Sequence, residues 1–361
     1  MNQREDWRTS GTIARSSMRS VNRTGRILIA LFGAGLLAAA GWDLMLASFH
    51  FDLREGYALE QGMLTGHPHW RFFQNRMLAP IIFGVIRHAT GWRTPGAYQA
   101  TFILLLSCFY LTLGGCLWNL TKRPGTVTFG LLAAFALNAI LMRPPWFYLW
   151  DLIDLSIFTL LAWALLSSQR LWVLTLIIAA EIFNREIAVI LAGLLVIDAL
   201  LRRNSLGAQQ AWRQTILGVA LAIIGVIIIE GLRRALLIAE VGPARWPWVK
   251  SGPFFHFQIF INMRNLFGYK PRRLTNMLPQ YGTVLAFAVW LIYQAMRGIS
   301  GKRRAALWFA TLFVAVFIFG YAEEWRVWLI FVPYLILTLA MPPVTAAEWR
   351  AQSAAPLSAD A

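Results

Sequence analysis

Long apolar runs with few charges dominate this chain, and the polar residues are pushed into the gaps between them. The runs lie at roughly 27–48, 97–118, 126–142, 150–167, 171–183, 187–201, 214–235, 277–296, 304–321 and 326–341. A helix rises about 1.5 Å per residue, so about 20 residues cross the hydrocarbon layer of a bilayer. The runs 171–183 and 187–201 are shorter than that. They predict either a hairpin of short helices turning at Asn184-Arg185-Glu186 or one long helix broken there. A further apolar patch, 77–92, carries Arg87 and His88 and predicts an interfacial or re-entrant helix rather than a span. The pattern as a whole predicts an all-α polytopic transmembrane bundle of about ten spans, with an interfacial helical first outer loop.

The gaps set the organisation. Residues 1–26, rich in Arg and Ser, predict a disordered basic cytoplasmic tail, and 342–361 a second disordered tail. Between them, 27–341 reads as a single membrane domain with two long outer connections, 49–96 and 236–276. Composition agrees: of 361 residues, 58% are hydrophobic and 14% charged. The mean hydropathy is +0.56. A soluble chain of this size could not hide so much apolar surface, which excludes a soluble multidomain protein.

Charge then supplies an orientation. Lys and Arg number 33 against 17 Asp and Glu, a net +16. No basic stretch sits in a soluble module, so the excess points to anionic lipid and cytoplasmic loops rather than to nucleic acid. With both termini in the cytoplasm, basic residues fall at Lys122 and Arg123, Arg170, Arg202, Arg203 and Arg213, and from Arg297 to Arg304. The short outer connections then hold only Arg143, Arg185 and Arg326. This contrast predicts a multi-pass protein of the cytoplasmic (inner) membrane of a bacterium-like cell. Cys108 and Cys116 share one apolar run and read as small core residues.

That orientation gathers the unusual polar groups on the outer side. Asp43 ends the first span, and His50, Asp52, Arg54, Glu55, Glu60, Arg71, Gln74 and Arg76 follow in the first outer loop. Asp151 and Asp154 open another span, spaced so that both share one helix face. Glu181, Asn184, Arg185 and Glu186 occupy the short-helix turn, and Glu181 can pair with Arg185 if the helix continues through them. Glu323, Glu324 and Arg326 lie in the last outer turn. Ionisable groups at membrane depth are costly and are functional or paired; internal salt bridges that lock helices together are the plainer account of any one of them. The loop 236–276 mixes aromatics with Arg and Lys. It reads as an amphipathic segment on the outer leaflet with Trp246 and Trp248 in the aromatic belt, or as a lid over a lipid phosphate. His67 and His69 lack a third ligand nearby and make weak evidence for a metal.

Several of these residues fall in a familiar order. Asp52, Tyr57, Gly66, Arg76, Leu78 and Pro80 follow the first span; Tyr148-Leu-Trp-Asp151 opens a later one; the Asn184-Arg185-Glu186 turn and Glu324-Trp-Arg326 come after. The chain resembles the small bacterial GT-C-like membrane glycosyltransferases and related polysaccharide-assembly proteins. The resemblance implies a polyprenyl-phosphate-linked sugar as donor, a glycan or lipid as acceptor, and a first-loop acid as catalytic base. By position that base is Asp52, with Glu55 second and Asp43 third. Arg76, Asp151, Asp154, Arg185, Glu186, Glu324 and Arg326 become candidates for binding substrate. The family's adjacent acidic pair is missing from the first loop, and the short 342–361 tail predicts a minimal member, or a non-catalytic relative, without a large soluble C-terminal domain. No cofactor is certain, and a divalent metal has room in the chemistry. Without the family, glycosyl transfer still asks for a carboxylate to take a proton and for cations to offset the departing phosphate. A polysaccharide polymerase, ligase or flippase would lean on outer arginines instead. A secondary transporter would use the short helices at 171–201 as a broken-helix site.

Overall fold

In a computed structural model, residues 23–49, 53–65, 76–141, 148–167, 169–236, 259–260, 262–263, 286–293, 300–319 and 325–341 are described. The named elements among them are helices: α1 Arg23–Phe49, α2 Leu53–Thr65, α3 Leu78–Thr90, α4 Thr94–Thr121, α5 Pro124–Leu141, α6 Leu149–Leu166, α7 Leu171–Ile182, α8 Ile187–Leu201, α9 Arg203–Leu206, α10 Ala208–Leu236, α11 Ser300–Phe319, a 3-10 segment Trp325–Phe331, and α12 Val332–Ala340. Residues 286–293 are also helical. Among the described residues five helices (α1, α4, α5, α6 and α10) are long and apolar enough to cross a membrane. The apolar patch at 77–92 forms helix α3, closed by Gly91 at φ 64°, a left-handed turn that glycine enters without strain.

Burial sorts these helices. Beyond Asp151 and Asp154 in its first two turns, α6 is apolar nearly all round and 83% of its span is enclosed, whereas α1, α5 and α10 are 17–22% enclosed. A helix apolar all round belongs in the middle of a bundle, and one with a bare apolar face belongs against lipid. Around α6 stand α4, α7, α11 and α12, with Phe158 of α6 packed on Phe309 of α11 (6.5 Å) and Phe309 stacked on Tyr334 of α12 (4.3 Å).

The two short helices form a hairpin. Asn184 and Arg185, in the turn between α7 and α8, bond to Trp150, Asp151 and Asp154 at the start of α6. Asp198, near the far end of α8, bonds Arg304 in the first turns of α11, and α11 meets the middle of α6 five residues on, at Phe309. Thus α8 runs back toward the other end of the bundle. α10 then returns antiparallel to α8: Gln214 bonds the Leu195 carbonyl (3.0 Å), Gly218 faces Ala192 and Val196, and Gly225 faces Ile182 and Val189. At Gly218 the approach is close enough that a Cβ would lie 2.7 Å from a Val196 methyl and 2.9 Å from the Ala192 carbonyl oxygen.

Candidate functional site

The polar groups converge where α2, α3, the start of α6 and the α7–α8 turn meet. The Phe183 carbonyl accepts from the Met77 and Leu78 N–H groups (3.1 and 3.4 Å), which fixes the start of α3 to the hairpin turn. The α6 start is set by Asp151, whose carboxylate reaches back to accept from the Tyr148 N–H at 3.1 Å. Tyr148 stacks on Trp150 at 4.3 Å, and the guanidinium of Arg76 lies 5.2 Å from the Trp150 ring centre.

Two arginines tie the elements together through three ion pairs. Arg76 donates to Glu186 at 2.8 Å. Arg185 donates to Asp154 at 2.5 Å and to Asp151 at 3.4 Å, so both aspartates of the shared face serve one arginine. The Asn184 amide donates to Asp154, and at 3.4 Å to Glu181 and to the Trp150 carbonyl. Glu181 does not take Arg185 as its partner by way of a continuous helix: α7 ends at Ile182, and the turn sends Arg185 across to α6. One oxygen of Glu181 and the side-chain oxygen of Asn184 are buried without a hydrogen-bond partner among the described residues.

Beside this cluster sits Glu60 of α2, 1% exposed, with neither carboxylate oxygen hydrogen-bonded among the described residues. Burial pushes its pKa up to about 8; the Leu149 backbone offsets part of the rise and the charge of Asp151 adds to it. Carboxylates therefore outnumber guanidinium groups in this cluster, with Glu60, Asp151, Asp154, Glu181 and Glu186 set against Arg76 and Arg185. Such an excess does not stay fully ionised out of water, and Glu60 is a seat for a proton. Among the described residues no group of three or more His, Cys, Asp or Glu is arranged to hold a metal ion.

Of the residues singled out from the sequence, Arg76, Asp151, Asp154, Arg185 and Glu186 are brought together here. Asp43 is exposed on α1 and is not among the cluster's partners. Glu55 lies on α2, where its backbone is described, and Arg326 on the 3-10 segment likewise. Asp52 and Glu324 lie outside the described residues, as do His67, His69 and most of 236–276. The reading of single residues passed over Asn184 as a bridging group and Asp198 altogether. A lone Asp inside the apolar run 187–201 was the available signal for the latter. Comparison with family models, with curated proteins and with solved structures gives no match to this chain.

Proposed function

We propose that the chain is a membrane glycosyltransferase that moves a sugar from a polyprenyl-phosphate donor to a glycan or lipid acceptor on the outer face of the cytoplasmic membrane. The reading includes about ten spans with both termini in the cytoplasm, so that the α2–α3 end of the bundle faces out. The observation that carries it is Glu60: a carboxylate in the first loop, buried and without a hydrogen-bond partner among the described residues, beside a cluster that also holds two arginines.

In this reading the acceptor hydroxyl oxygen attacks the anomeric carbon, the bond from that carbon to the phosphate oxygen breaks, and the polyprenyl phosphate leaves with the electron pair. The hydroxyl proton passes to a first-loop carboxylate, Glu60 or Asp52. Arg76 and Arg185 are already bound to carboxylates, so a donor phosphate must compete with Glu186 and with the Asp151–Asp154 pair. The test is sugar transfer in proteoliposomes with a short-chain polyprenyl-phosphate sugar. Glu60→Gln and Asp52→Asn are compared with the unaltered protein at matched insertion. Loss in at least one supports the reading; full activity in both removes the first loop from the chemistry.

A second reading has its own support. The excess of buried acids at the turn of two short helices suits a proton-coupled transporter. Proton-dependent uptake that disappears in Glu181→Gln, with no sugar transfer in any variant, would favour it.

A further inference from the structure

At the opposite end of the bundle a second ionic group stands apart from the cluster above. Asp198 of α8, 5% exposed, accepts two bonds from Arg304 of α11 (2.8 and 2.7 Å) and one from Gln214 of α10 (2.8 Å). The Trp308 indole N–H donates to it at 3.4 Å, and Arg202 lies 3.6 Å from it. One carboxylate thus draws two arginines from different helices to one point. Arg202 feels the cost: burial, then the like charge of Arg304, lower its pKa, while Asp198 pulls the other way. Around them stand Arg203, Arg213 and Arg303, all exposed and none forming an ion pair among the described residues. Positive charge remains after Asp198 is satisfied.

The apolar neighbours of these arginines are bare. Leu200 and Leu201, just before Arg202, are 63% and 68% exposed, and Trp212, beside Arg213, is 65% exposed. Leu307, one turn beyond Arg303, is 43% exposed. A soluble anion would have no use for such flanks. A phospholipid has use for both parts: its phosphate accepts from the guanidinium groups, its chains cover the leucines, and the indole sits at headgroup level.

We propose that the corner between the α8–α9 junction, the start of α10 and the start of α11 binds the phosphate headgroup of an anionic phospholipid. Asp198 acts there as the internal strut that holds Arg202 and Arg304 side by side. The site requires only that the chain lie in a membrane, not that it transfer sugars.

The test is native mass spectrometry and thermal unfolding of the full chain in nanodiscs of phosphatidylcholine, with and without phosphatidylglycerol or cardiolipin. The acidic lipids are expected to be retained and to raise the unfolding midpoint. Arg203→Gln, Arg213→Gln and Arg303→Gln leave the Asp198–Arg304 pair intact, and each should weaken lipid retention by about fivefold. The control is Lys122→Gln with Arg123→Gln, at the connection between α4 and α5. Equal loss in the control would reduce the effect to general surface charge and overturn the site. Soluble pyrophosphate in phosphatidylcholine nanodiscs separates headgroup from free phosphate, and stabilisation by it equal to that by the lipid would overturn the lipid as ligand.

Discussion

At the scale of residues, Glu60 is the group whose behaviour is most sharply set by its surroundings. Its pKa in the folded protein is about 8, against an ordinary value near 4.5, because burial penalises the charged form. In the unfolded chain Glu60 ionises from about pH 4.5 upward while the folded protein still holds the proton. Stability is therefore intact below pH 4.5, declines as pH rises toward 8, and has lost on the order of 5 kcal/mol above it. Thermal unfolding of the detergent-solubilised protein across this range checks the slope, and Glu60→Gln should flatten it. If Glu60 is the base of the transfer reaction, the rate should rise through about pH 8 as the carboxylate forms. A flat rate profile in the unaltered protein would leave Glu60 a structural acid. At the other end, Asp198→Ala removes one partner of a buried pair and strands Arg304, at a cost of about 3–5 kcal/mol in the same unfolding measurement.

At the scale of elements, the α7–α8 hairpin is held at both ends by ions and along its length by small residues. Arg185 joins its turn to α6, and Asp198 joins its foot to α11. Between them α10 packs closely on α8 because Gly218 has no side chain. Gly218→Val would drive a Cβ into the Ala192 carbonyl and the Val196 methyl. Overpacking of this kind costs about 1–3 kcal/mol, here read as a lower unfolding midpoint, and Gly193→Ala, whose Cβ meets nothing within 4 Å, is the matched control. The hairpin also explains how helices of 12 and 15 residues persist in an apolar setting. Their joint is polar backbone, and it is satisfied by the Asn184 and Arg185 N–H groups on the Glu181 carbonyl and by the Met77 and Leu78 N–H groups on the Phe183 carbonyl.

At the scale of the whole molecule, the bundle is polarised. The α6 start and hairpin turn collect acids, while the connections at Lys122–Arg123, Arg170, Arg202–Arg203 and Lys302–Arg304 collect bases. The proposed orientation predicts that, in a background lacking Cys108 and Cys116, Lys122→Cys and Arg303→Cys label only from the cytoplasmic side and Thr65→Cys only from the outside. Labelling of position 65 from the cytoplasm would invert the molecule and with it the proposed chemistry.

The sequence alone determined that the chain is helical and apolar enough for a membrane. Run length and the exclusion of charge are properties of consecutive residues, and a bilayer selects on them directly. It also marked Asp151 and Asp154 as one face, since their spacing is local. Between the hairpin and the broken helix it had no means to choose, because both present the same run of residues; the contacts of Asn184 with α6 and of Asp198 with α11 decide that. The partners of Arg185, the burial of Glu60 and the arginines gathered on Asp198 also came only with the tertiary structure. Each joins residues far apart in the chain, and such distances are fixed by packing around α6 rather than by any local pattern.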